Sequence, residues 1–250
     1  MADKQQFPSE EIDLPSEGKL YPKDSPLATG KIEIKYMTAK EEDILTSENL
    51  LKKGIVIDKL LNSLILTKNI NVSDLIVGDK NAVMVAVRIL AYGPQYSVEL
   101  ENQFTGAKFS HTFDLTECPF KKLPTDIDYS QSNFSMQLPV SKVNIKYRLL
   151  TAGLEASIEK EIKNTSKFGS STEMTSRLRN IIVEVDGDTD TATITNFVNN
   201  MLSQDSLALR EEIQRISPDI ILKQDVDMEG EMVEVDIPLT TNFFWPTTRG

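Results

Sequence analysis

The spacing of hydrophobic and polar positions changes repeatedly along the chain, and each change predicts an element. Lys31-Ile32-Glu33-Ile34-Lys35-Tyr36 alternates with period two, the pattern of a strand with one buried face. Thr38 stands three residues before Glu41, the spacing of a capping box, and Glu41, Glu42 and Asp43 put negative charge where a helix dipole favours it. Ile44, Leu45, Leu50 and Leu51 supply an apolar face up to Gly54, which breaks or restarts the helix. Ile55, Leu60, Leu61, Leu64 and Ile65 continue helical spacing towards Asn69. A further helix is expected over 82–92, capped by Asp79 and apolar nearly all round from Val83 to Leu90, as in an element buried on most sides.

The middle third turns to period two. Tyr96 to Leu100 and Lys108 to Leu115 alternate around Asn102 and Thr105-Gly106 and predict a hairpin, with Phe109, His111 and Phe113 on one face. Phe134 to Leu138 and Val143 to Tyr147 predict a second strand pair. From Thr151 helical spacing returns, first through Ile158 and Ile162. A second helix carries Leu178, Ile181, Ile182 and Val185 up to Asp186-Gly187, and two short amphipathic helices follow over 193–202 and 205–216, stopped by Ser217-Pro218. Ile220 to Leu222 and Met232 to Ile237 predict the arms of a terminal hairpin about Glu229-Gly230. The fold class is therefore α+β, with helices flanking two small antiparallel units. The expected divisions are an extended arm over 1–30, a strand and helical region over 31–93, a β unit over 94–150, a helical region over 151–218, and a terminal hairpin with an aromatic tail over 219–250.

Both ends of the chain read as adhesive. Prolines at 8, 15, 22 and 26 forbid a continuous helix in the arm, yet Leu14, Leu20 and Tyr21 need an apolar surface. At the other end Phe243, Phe244 and Trp245 would each bury roughly 150 to 250 Å² if packed. These six residues are the candidate partner-binding set. The arm is expected to work outside the core, and the tail either seals its own hairpin or docks on a partner.

Composition narrows the chemistry. With 40% hydrophobic and 26% charged residues the chain is an ordinary globular one, not a disordered one. Its net charge of −11 opposes broad nucleic-acid contact and suits a basic protein partner. The longest apolar run, 55–66, is broken by Asp58, Lys59 and Asn62, so no membrane span is expected. No basic stretch followed by an apolar one opens the sequence, and a cytoplasmic protein is expected. Cys118 and His111 are single, which excludes an intrachain disulfide and a Cys/His zinc cluster. Phosphate-binding, dinucleotide-binding, serine-hydrolase and zinc-protease motifs are absent. Glu41-Glu42, Glu211-Glu212 and Asp188 with Asp190 read as solvated surface. Asp186-Gly187-Asp188-Thr189-Asp190 imitates the start of a calcium loop, but Thr191 and Phe197 stand where Gly and a bidentate Glu belong. No catalytic set, cofactor or metal is expected.

Three stretches carry a resemblance: Leu14-Pro15-Ser16-Glu17-Gly18-Lys19-Leu20-Tyr21-Pro22, then Met37 to Leu45, then Asp236 to Pro246. In this order and spacing they resemble the T4-type bacteriophage baseplate hub family, whose members are hub subunits or hub assembly factors. The resemblance implies a non-enzymatic protein of the contractile tail baseplate. Its partners would be other baseplate hub proteins, met in the host cytoplasm during assembly and then in the virion tail. It also implies that the hairpins are degenerate zinc ribbons. Glu101 to Phe104 and Gln224 to Met228 stand at the expected cysteine knuckles, so Phe104, Phe109 and Met228 would hold the shape by packing. The rival readings are a tail-associated hydrolase built on carboxylates, which needs two of them across a cleft, and a cytosolic adaptor.

Overall fold

The computed structural model describes residues 8–102, 105–166, 173–228, 230–239 and 241–244. Phe104 and Trp245 lie outside the described residues. Among those described, eight α-helices and nine strands form an α+β fold, with the strands in four small antiparallel sheets, none of them closed.

The arm enters as strand β1 (Ser9–Asp13), paired antiparallel with β2 (Lys31–Lys35). Between them the chain turns through Glu17 and Gly18, both at positive φ, and a 3-10 turn at Pro26–Thr29. The arm expected outside the core is thus built into it: Leu14 is 2% exposed and packs with Leu27, Ile32 and Ile34. Apolar burial decides this, because Leu14 follows the strand directly and the turn carries it onto the sheet's inner face.

Helices α1 (Ala39–Leu45), α2 (Glu48–Lys53) and α3 (Val56–Leu64) follow, with Gly54 ending α2 in the left-handed conformation. Helical spacing predicts continuation towards Asn69, but Ile65 leaves the helix to bridge Ile34, and the Leu66 N–H reaches the Glu33 carbonyl at 2.9 Å. The pull is the free edge of β2, whose backbone groups need partners. Helix α4 (Val77–Tyr92) begins two residues before Asp79, so Asp79 lies inside the helix and is not its cap.

Strands β3 (Gln95–Glu101) and β4 (Lys108–Asp114) form the expected hairpin. Strands β5 (Phe134–Gln137) and β6 (Asn144–Tyr147) form the second, in a separate sheet. Helices α5 (Ala152–Ser166) and α6 (Glu173–Ile181) come next, and α6 stops earlier than predicted. Ile182–Val185 becomes β7 and pairs with β6. Ile182, Val183 and Val185 are β-branched and suit a pleated, half-buried surface better than a last helical turn. The turn at Asp186-Gly187 therefore ends a strand, not a helix. Helices α7 (Thr191–Asn199) and α8 (Ser203–Ile216) follow.

The terminal hairpin pairs β8 (Lys223–Met228) with β9 (Glu231–Asp236). Its first arm is not Ile220 to Leu222 as predicted. Ile220 bridges Phe120, and the Ile221 N–H bonds the Pro119 carbonyl at 2.8 Å. The polar run Lys-Gln-Asp-Val-Asp-Met concealed the real strand, since only Val226 and Met228 of it are fully buried.

Two cores result. The first gathers β1 to β4, α1, α3, α4, β8 and the tail, with Phe243 and Phe244 at 0% and 1% exposure. The second gathers β5 to β7 and α6 to α8 around Leu138, Tyr147, Leu209 and Ile216. Tyr21 packs against both.

Candidate protein-interaction site

The segment Leu14 to Pro22 is a clasp on the N-terminus of α4. The Leu14 N–H bonds the Gly30 carbonyl at 2.8 Å, which ties the end of β1 down. Two residues on, the Ser16 N–H donates to Asp79 Oδ1 at 2.9 Å. The Tyr21 hydroxyl donates to Asp79 Oδ2 at 2.5 Å and accepts the Ile76 N–H at 3.0 Å. Gly18 makes the loop tight enough: at φ +75°, a Cβ there would stand 2.5 Å from the Ala28 carbonyl oxygen. Asp79 is fully buried, and its charge lies in the first turn of α4, where unpaired N–H groups favour an anion. Burial pushes its carboxyl up despite the hydrogen bonds from Ser16 and Tyr21, and burial followed by the Asp79 charge pushes the Tyr21 phenol up.

The other two signature stretches sit in the same core. Glu41, in α1, is 1% exposed and takes the Lys35 ammonium at 2.8 Å, the Thr38 N–H at 3.0 Å and the Thr38 hydroxyl at 2.6 Å. Burial acts to raise its pKa, but those three donors outweigh burial and hold the carboxyl below the usual range. At the C-terminal end Phe243 meets Tyr96 edge-on at 5.0 Å and Phe244 at 5.2 Å, while the Tyr96 hydroxyl bonds the Pro238 carbonyl.

The cores join along a seam beside the clasp. The Val77 N–H bonds the Leu150 carbonyl at 3.1 Å and the Ala152 N–H bonds the Leu75 carbonyl at 2.7 Å. Gly78 passes so near Pro218 that a Cβ would stand 1.9 Å from its carbonyl oxygen. A cleft of about 630 Å³ opens along the seam, lined in part by Ile57, Met84, Leu150, Arg177 and Asp219. Two of its cations are matched, Lys80 with Asp58 at 2.6 Å and Arg177 with Glu155 at 2.7 Å.

Residues 8–245 match the family described as T4 bacteriophage base plate protein. The chain belongs to this family. Neither a curated protein sequence nor a solved structure matches it. The matched range opens where the first sheet of the baseplate protein begins, with the Pro8 carbonyl taking the Tyr36 N–H, and it includes Phe244, the last described core residue.

The candidate partner-binding residues of this baseplate protein divide by position. Leu14, Phe243 and Phe244 lie in its own core, Leu20 and Tyr21 are half-buried at the edge of the second core, and Trp245 lies outside the described residues. Asp79, the centre of the clasp, escaped sequence reasoning because an Asp before an apolar helix reads first as its cap. The available signal was its position after Ile76-Val77-Gly78, inside an apolar run.

The remaining chemical candidates are structural. Cys118 is buried, and burial raises its thiol pKa, while Gln224 Nε2 approaches its sulfur at 3.7 Å. His111 stacks edge-on against Phe113. In the acidic turn, Asp190 caps α7 by accepting the Ala192 and Thr193 N–H groups, and Asp188 takes the Asp190 N–H and the Thr193 hydroxyl. Of the two residues of the degenerate-ribbon reading that are described, Phe109 is half-buried and Met228 is buried against the first core. Among the described residues no group of three or more potential ligands converges on a metal position, and no helix is long and apolar enough to cross a membrane.

Proposed function

We propose that this baseplate protein is a non-enzymatic hub subunit or hub assembly factor that works through protein contacts. It would act in the host cytoplasm as the baseplate assembles and take its place, in the subunit case, in the virion tail. The observation that carries the reading is the family match across 8–245, in which each signature stretch places a residue in the first core, Leu14, Leu45 and Phe243. The fate of the buried carboxylates supports it too. Glu41, Asp79 and Asp205 are each engaged by donors from the protein itself, Asp205 by the Val140 and Ser141 N–H groups at 2.8 and 3.0 Å. A carboxylate spent in this way holds a loop in place and is not poised across a cleft for hydrolysis.

Mass spectrometry of purified virions, beside pull-downs from infected cells, tests the reading. Presence in virions assigns a subunit, and capture of hub proteins from lysate alone assigns an assembly factor. Absence from both, or release of soluble fragments from peptidoglycan by the purified protein, overturns it.

A further inference from the structure

The terminal hairpin concentrates the charge of the molecule. Residues 223–236 hold one lysine against six acids, a net charge of −5 out of the chain's −11. Lys223 is already engaged by Glu234 at 2.8 Å and lies 3.9 Å from Asp236. Asp225, Asp227, Glu231, Glu234 and Asp236 are all exposed.

The hairpin also has an open edge. Its sheet has only two strands, and among the described residues no segment pairs with β9 on the side away from β8. The register fixes which groups face outward. The Ile237 N–H bonds the Leu222 carbonyl, so Ile237, Val235, Val233 and Glu231 turn their backbone groups towards β8. Met232, Glu234 and Asp236 turn theirs outward. Their side chains are exposed as well, and Met232, at 64%, is the most exposed large hydrophobic residue of the described chain.

An acidic edge is a common defence against aggregation. That defence does not account for an exposed methionine on the edge, at its turn end, where an adaptable apolar side chain suits a contact surface. The edge of β1 lacks this combination: it has acids and a cross-strand match of the same kind, Glu11 with Lys31, but no large hydrophobic residue is exposed on it.

We infer that the outer edge of β9 is a docking strand for an extended, basic segment of a partner protein. Strand addition would satisfy the outward N–H and C=O groups of Met232, Glu234 and Asp236, and Lys or Arg side chains on the added strand would meet Glu234, Asp236 and the acids of β8. A second copy of this chain is a poor occupant, because an edge-to-edge pair would set the same acids against each other. The inference rests on the protein-contact reading above and gives that partner its chemistry.

The test uses the full-length protein and two peptides of about six residues, the length of an ordinary strand. One alternates Lys and Val, and the other has the same sequence with alternate amides N-methylated, which keeps the charge and removes the pairing. The plain peptide is expected to slow hydrogen exchange at the Met232, Glu234 and Asp236 amides, and the methylated one is not. Glu234→Pro removes an outward N–H without touching the ladder to β8, and is expected to weaken the plain peptide about fivefold or more. The double change Glu234→Lys with Asp236→Lys, which keeps the backbone intact, should turn the preference towards a Glu-Val peptide of the same pattern, and it stands in if the proline variant fails to fold. Equal binding of both peptides, protection elsewhere on the molecule, or no binding overturns the inference. These measurements need no phage. If virions contain the protein but the doubly substituted protein supports baseplate assembly at full yield, the edge is not a docking strand and the baseplate reading stands.

Discussion

Tyr21 carries more of the fold than its half-buried position suggests, because one hydroxyl serves two elements. It donates to Asp79 and accepts the Ile76 N–H, so Tyr21→Phe leaves a buried carboxylate short of a donor and a backbone N–H without its acceptor. Unsatisfied buried groups cost about 1–3 kcal/mol each, and a loss on the order of 2–4 kcal/mol is expected in denaturant melts. A loss under about 0.5 kcal/mol would show that the clasp is not a stabilising contact. Glu41 and Asp79 give pH dependences of opposite sign. The folded pKa of Glu41 lies below its usual 4.5, so its contribution is complete above that value and disappears as pH falls through the lower folded value. The folded pKa of Asp79 lies above its usual 3.8, so its contribution favours the fold at low pH and is lost as pH rises through the higher folded value. Glu41→Gln should therefore flatten the acid limb of a stability profile, and Asp79→Asn should steepen it. Parallel profiles for the two variants would contradict these assignments.

The arm and the terminal hairpin are the elements whose roles depend most on packing. Prolines and scattered apolar residues made the arm read as an interaction element working outside the core. Leu14, the Ser16 N–H and Tyr21 instead tie it to the first core and to α4. A chain starting at residue 25 loses a buried leucine and both donors to Asp79, and is expected to melt lower by on the order of 3–5 kcal/mol or to fail to fold. Circular dichroism melts of the truncated and full chains check this, and unchanged melting would show that the arm is not a stabilising part of the core. The strand at Ile182–Val185 shows a related ambiguity: Ile182 and Val185 continue the helical spacing of Leu178 and Ile181 and also fit a β strand bordering a turn. Pairing with β6 resolves it, because only an extended chain meets the backbone groups of Ile145 and Tyr147.

For the whole molecule, the seam between the cores is where a small change should travel furthest. Gly78 belongs to α4 of the first core, and Pro218 follows α8 of the second. An added methyl at 78 meets backbone on both Pro218 and Asp219, which no side-chain rotation relieves. Gly78→Ala is expected to destabilise by about 3 kcal/mol, the upper end of the overpacking range. It should also speed amide exchange in both α4 and α8. Faster exchange confined to α4 would mean that the cores open independently across this seam.

Much of this was legible in the sequence because it is local. Alternation at 31–35 and in the two central hairpins, the acid-rich start at Thr38 and the helix stop at Ser217-Pro218 each follow from residues within one turn or strand of each other. So did the three family stretches, whose order and spacing are properties of the chain. What the tertiary structure alone decided were contacts between distant residues: Asp79 with the arm rather than with its own helix end, Leu14 and the Phe243-Phe244 pair in the core, Ile220 against Phe120, and β7 as a strand. A buried carboxylate, an apolar arm and an unpaired strand edge each require a partner, and periodicity shows the need without showing which distant group is near enough to meet it.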